Sequence, residues 1–143
     1  MIEFRLYGVV YTIDFSFFLL WAIVYTLGRQ YIVVPTFIAC TVHELGHLIL
    51  ITLSKRTVRS IEFKGTGIKI VPNYDRLLPI YWDLAIMSAG CVFNFILSAV
   101  VLCLDITSLR EVAYISLSLG VFNLLPFKSL DGGCIIEYLK SIH

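Results

Sequence analysis

Two hydrophobic periods divide the chain. Ile2–Leu6 and Val9–Ile13 alternate apolar and polar side chains, the two-residue period of strands with one covered face. Alternation returns further on, where Ile61, Phe63, Ile68 and Ile70 fall on alternate positions either side of Gly65-Thr66-Gly67. A glycine turn between two such runs predicts a β-hairpin, which the N-terminal strands can join in one small sheet. Elsewhere the apolar runs are long. Crossing a bilayer core takes about 20 helical residues, and four segments are candidates. Phe15–Leu27 is short unless it extends upstream past Asp14. Tyr31–Leu53 tolerates Pro35 in its first turns. Leu78–Leu104 is the longest, and Arg110–Phe127 is ended or broken by Pro126. The pattern predicts a membrane protein, mainly α-helical, with about four transmembrane helices and a small β-sheet or hairpin at one face.

Composition agrees. The 143 residues are 59% hydrophobic and 15% charged, against about 45–50% and 25% for soluble domains, and the mean hydropathy is +0.89. The net charge of +1 gives no reason to expect nucleic acid as a partner. Its distribution is more telling. Arg5, Lys55, Arg56, Arg59, Lys64, Lys69, Arg76, Lys128 and Lys140 fall on one side of a four-span arrangement, and only Arg29 and Arg110 on the other. Positive charge collects in the cytoplasm, so both termini and the hairpin are expected there. The N-terminal segment lacks the basic tip and apolar core of a cleavable signal peptide, leaving the spans themselves to target the chain. Cys91 and Cys103 read as small buried hydrophobes. Cys40 and Cys134 lie three residues from His43 and Asp131, near any metal held there but not expected to ligate it.

The second apolar run carries His43-Glu44-Leu45-Gly46-His47 at its centre. Ionisable groups are costly in hydrocarbon, at roughly 3 kcal/mol or more for a charge, so three of them together need a purpose. On a helix His43 and His47 share one face and can reach one zinc at about 2.0–2.1 Å. Glu44 projects to the side, where it can take a proton from water without ligating the metal. Gly46 leaves open space beside the metal, as substrate access would require. The same five-letter pattern can also lie harmlessly on a soluble helix, a reading harder to sustain inside a membrane. A hydrolytic zinc site needs a third protein ligand, and Asp131 in NLLPFKSLDGG, between Pro126 and Gly132-Gly133, is a candidate. Asp131 can equally be the N-cap of the helix that follows. His43 lies about 18 Å along the second helix from Tyr31, in the cytoplasmic half of the bilayer, the level to which the fourth segment returns.

HELGH in a membrane helix followed by NLLPFKSLDGG resembles the site-2 protease family of intramembrane zinc metalloproteases. The family's Asn-x-x-Pro and Asp-Gly signature falls on Asn123, Pro126, Asp131 and Gly132. Its Ala-Gly-Pro-x-x-Asn feature falls on Ala89–Asn94, with Cys91 where proline is usual, and an interface histidine common in the family is here Asp14. The resemblance covers nearly the whole chain. It implies one zinc held by His43, His47 and Asp131, Glu44 as general base, and Asn94 and Asn123 near the reacting carbonyl or substrate backbone. Asn94 can instead bond between helices, and Asn123 can cap a broken helix end. Many members carry a PDZ or CBS domain; residues 1–143 read as one protease core with room for neither. The form is similar to the sporulation-type branch. That implies a multi-pass protein of a bacterial cell membrane, acting on a membrane-bound substrate such as a pro-sigma factor, with an inhibitory membrane partner as a further expectation.

The implied reaction is peptide hydrolysis in or near a transmembrane segment. Ile68 and Ile70 on the hairpin offer an edge to which an unwound substrate could add as a strand. Two rivals remain: a catalytically silent binding protein of the same fold, against which an intact Glu44 argues, and a zinc transporter, which would spread polar groups along several helices.

Overall fold

The structure, a computed structural model, describes residues 1–26, 30–65, 67–73 and 78–142. Thr66 of the expected turn, and Arg29 and Arg76 of the charge bias, lie outside the described residues. The chain opens with a hairpin of β1 (Ile2–Leu6) and β2 (Val9–Ile13). Tyr7 and Gly8 join the strands with φ of 49° and 84°, the left-handed pair of a tight two-residue turn. Two helices follow, α1 (Phe15–Thr26) and α2 (Gln30–Leu53), then β3 (Val58–Lys64) and β4 (Gly67–Pro72). The expected second hairpin is present, with Ile61 opposite Ile70 and Phe63 opposite Ile68. All four strands form one sheet in the order β1-β2-β3-β4. Alternation alone does not reveal that β2 and β3 pair in parallel, Val10 against Ser60, across the intervening helices.

Among the described residues three α-helices follow, α3 (Ile80–Cys103), α4 (Arg110–Asn123) and α5 (Asp131–Ile142), with a short 3-10 turn at Thr107–Leu109 before α4. α2, α3 and α4 pack together as the centre, and α5 rests chiefly on α3. α1 leans on the sheet through Phe17 and Phe63, whose rings are 5.6 Å apart, and on α2 through Trp21 and Phe37 at 6.0 Å. Asp14 starts α1 as its cap, accepting the Ser16 N–H at 2.8 Å. That backbone hydrogen bond holds its carboxyl below the usual carboxylate range.

Among the described residues, two helices are long and apolar enough to cross a membrane, Tyr31–Leu53 and Ile80–Cys103. Only 22% and 39% of their most apolar windows are buried. Their exposed positions include large apolar residues, among them Val34, Phe37 and Ile49 on α2 and Val92, Ile96 and Val100 on α3. α1 and α4, with 12 and 14 residues, are about 18 and 21 Å long. The fourth apolar run leaves the helix at Asn123, before Pro126. Cys103, expected to be buried, is exposed at the end of α3; Cys91 is buried as expected.

One junction sets up the far end of the molecule. α2 ends with Lys55 in the left-handed region (φ 58°), while the N–H of Arg56 bonds the Ile51 carbonyl at 3.1 Å and that of Lys55 bonds Thr52 at 3.0 Å. This Schellman arrangement turns the chain back on itself. It carries Arg56 inward, where its guanidinium pairs with Asp83 at the start of α3. The Tyr138 hydroxyl of α5 donates to the other Asp83 oxygen at 2.6 Å. Arg56 and Asp83 side chains are only 3% and 7% exposed, so one buried clasp ties the ends of three helices.

Candidate metal centre

α2 presents His43 and His47 one turn apart, both buried. Their Nε2 atoms lie 3.3 Å from each other, and Asp131 Oδ2 lies 3.1 Å from the first and 3.3 Å from the second. Three potential ligand atoms therefore form a near-equilateral triangle. Tetrahedral zinc with bonds of about 2.0–2.1 Å separates its ligands by about 3.3–3.4 Å, so the triangle fits one ion.

Asp131 reaches this position because it does not cap α5. The Cys134 N–H bonds the Leu130 carbonyl at 3.0 Å, which makes Leu130 the capping residue and Asp131 the first residue of the helix. The carboxylate is thereby free to face α2. The following glycines permit close backbone approach. A Cβ on Gly132 would lie 2.2 Å from the Leu124 carbonyl oxygen, and one on Gly133 would lie 2.0 Å from that of Phe127.

α3 fixes the imidazoles from behind. His47 Nδ1–H donates to the Ile86 carbonyl at 2.7 Å, which leaves the Nε2 lone pair pointing at the triangle. His43 Nδ1 faces the Asn94 amide nitrogen at 3.3 Å, while Asn94 Oδ1 is buried with no partner. Turning the amide over sets its oxygen against Nδ1–H, giving His43 the same tautomer as His47. Gly90 allows the approach, since a Cβ there would lie 2.4 and 2.5 Å from the two Nε2 atoms. Sequence reasoning did not single out Gly90, although the small-residue run Ser88-Ala89-Gly90-Cys91 is the signal of a close helix contact. Gly46 does not open space beside the metal, as the sequence led us to expect. Its Cα faces α3, where a Cβ would lie 2.8 Å from the Ala89 carbonyl oxygen and 3.0 Å from the Phe93 ring.

A cavity of about 310 Å³ adjoins the triangle, and His43, Glu44, His47, Asp131, Asn123, Ile68 and Ile70 all line it. Cys40 and Cys134 reach it too. Neither belongs to the group of donors close enough to share an ion. Asn94 is wholly buried behind His43, and Asn123 bonds the Leu119 carbonyl at 3.1 Å within its own helix. The wall opposite α2 is β4, an outer strand of the sheet. Because Asp14 N–H bonds the Phe63 carbonyl at 2.8 Å, Phe63 and Ile61 turn their backbone groups toward β2. Their antiparallel partners Ile68 and Ile70 must then turn theirs to the free edge. The Ile70 backbone indeed lies within hydrogen-bonding reach of the Glu44 carboxylate.

The chain thus joins a small sheet to a bundle with two helices of membrane-spanning length and carries a His-His-Asp triangle beside a further carboxylate, a candidate metal centre. Among solved structures the chain matches the Site-2 Protease from Methanocaldococcus jannaschii with a TM-score of 0.78 and 23% identity, covering 98% of this chain and 71% of that one. The fold of this chain is therefore the site-2 protease fold. No family model and no curated protein matches the sequence.

Proposed function

We propose that this chain is an intramembrane zinc metalloprotease that cleaves membrane-bound proteins in or near their transmembrane segments. The observation that carries this is the triangle of His43, His47 and Asp131, with edges of 3.1–3.3 Å and the Nε2 lone pair of His47 fixed by the Ile86 carbonyl. Those three residues would hold one zinc. The chemistry it supplies when bound is Lewis-acid activation of water and of the scissile carbonyl.

Glu44, on the cavity wall beside the triangle, takes the proton of the attacking water on its carboxylate. The water oxygen bonds the carbonyl carbon, the carbon–nitrogen bond breaks, and Glu44 returns the proton to the leaving amine. Asn94 orients His43 rather than touching substrate, since it is wholly buried. Asn123 lines the cavity and is the residue available to substrate backbone. Ile68 offers an outward N–H and C=O, and Ile70 an outward C=O beside its N–H contact with Glu44, to an unwound substrate strand, which would bring its carbonyls alongside Glu44.

Connectivity supports four crossings. α1 leaves the sheet and α2 returns to it, so a spanning α2 requires α1 to carry the chain across. α3 leaves the clasp of Arg56 and Tyr138, and the chain comes back to it in α5. The excess of lysine and arginine on the sheet side then sets that side in the cytoplasm. The substrate class is a membrane-anchored regulator, of which a pro-sigma factor is one example.

The test pairs zinc content with cleavage of a panel of single-span substrates, for wild type and Glu44→Gln. Zinc in both proteins and cleavage only by wild type is expected. Wild type that binds no zinc after metal-replete purification, or that binds it and cleaves nothing in the panel, overturns the assignment.

A further inference from the structure

The backbone around Leu130–Gly133 fixes where Asp131 starts, but not how its carboxylate is turned. The terminal torsion of an aspartate is broad, and a ligand oxygen must be held to a few tenths of an ångström. The two imidazole nitrogens cannot do this alone, because each turns a lone pair toward Oδ2 once its Nδ1 carries the proton. A true donor is needed. One stands at the position where this chain departs from its resembled motif: the Cys91 thiol lies 3.5 Å from Asp131 Oδ2. Cys91 is 1% exposed, and its sulfur is not among the donors close enough to share an ion.

The pattern on α3 gives this contact its meaning. Ile86, Gly90 and Asn94 lie four residues apart on one helix face, with Cys91 beside them. Ile86 fixes His47, Asn94 meets His43, and Gly90 lets the helix backbone close on both rings. Cys91 completes the set. We propose that Cys91 is a positioning residue, its thiol donating to Asp131 Oδ2, so that α3 supplies one outer partner for each of the three metal-facing side chains. The proposal rests on the zinc-site reading above. Groups of this kind set the orientation of ligands and typically change metal affinity 10–100-fold; a thiol is a weak donor, so the lower end applies.

The experiment measures zinc dissociation constants by chelator competition on the full chain in detergent, for wild type, Cys91→Ala, Cys91→Ser and His43→Ala. Zinc binding by wild type and its loss in His43→Ala test the underlying site, independently of Cys91. Given that, Cys91→Ala should weaken zinc about 10-fold, whereas Cys91→Ser, which keeps a donor, should stay within about twofold. Equal weakening by Ala and Ser would reduce Cys91 to a packing residue, and no weakening by Ala would remove it altogether. Cobalt-loaded wild type should show no sulfur-to-metal charge-transfer band. A band lost in Cys91→Ser would make the sulfur a ligand and overturn the positioning role.

Discussion

Gly90→Ala tests the metal centre through the helix behind it. The added methyl would stand 2.4 Å from His47 Nε2, 2.5 Å from His43 Nε2 and 2.6 Å from His43 Cε1. Ordinary contact begins near 3.4 Å, so about 1 Å of space must be found at both rings together. Zinc sites tolerate ligand displacements of about 0.2 Å. The rings cannot yield without breaking the triangle, and α3 cannot retreat without stretching His47 away from the Ile86 carbonyl. Overpacking of this kind costs about 1–3 kcal/mol of stability, which leaves a folded protein. The loss should instead appear in the metal, as an affinity at least about 100-fold weaker, or about 2.8 kcal/mol. Chelator competition followed by metal analysis reads this directly. Gly120→Ala is the control, because its methyl would press on the Phe95 ring at 2.7 Å and on no ligand. Wild-type zinc affinity in Gly90→Ala, or an equal loss in Gly120→Ala, would refute the role given to the close approach of α3.

Two further outcomes follow from other parts of the molecule. Asp83→Asn removes the carboxylate paired with buried Arg56 and should lower stability in detergent by about 3–5 kcal/mol, read as a fall in Tm; Arg56→Met with Asp83→Leu should recover most of it, and failure to do so would mean that packing, not charge, governs this end. Ile68→Pro removes an N–H that faces the free edge and not the β3 ladder, so it should reduce cleavage at least about tenfold while zinc binding and fold persist, whereas Lys69→Pro should unfold the hairpin; full activity in Ile68→Pro would exclude strand addition at this edge.

Much of the site was legible because its signals are local. The i, i+4 histidines and their intervening glutamate follow from helical geometry, and the hairpin follows from alternation around glycines. What was not legible depends on contacts between distant segments. Nothing near Gly46 says that it lies against the opposing helix rather than open space, and at Gly90 only the run of small residues around it does. Asp131 reads as a capping residue by composition, and only the Leu130 carbonyl bond to Cys134 shifts it by one position into the helix. The Arg56 charge counts as cytoplasmic in a tally of loop residues, yet the left-handed Lys55 folds it into a buried clasp. The helix lengths were overestimated where an apolar run continued past the last helical residue, as it does from Asn123 through Phe127.

The separation of the metal-facing residues has a consequence for biosynthesis. His43 and His47 are made early, but Asp131 follows eighty-four residues after His47, and Val10 must wait for Ser60 before the parallel strands can pair. A nascent chain that has made only its first two helices therefore has neither the complete donor triangle nor the finished sheet edge beside it. Long-range closure of this kind is slow compared with local helix formation. The donor triangle is thus closed late in synthesis, only when the segment carrying Asp131 has been made.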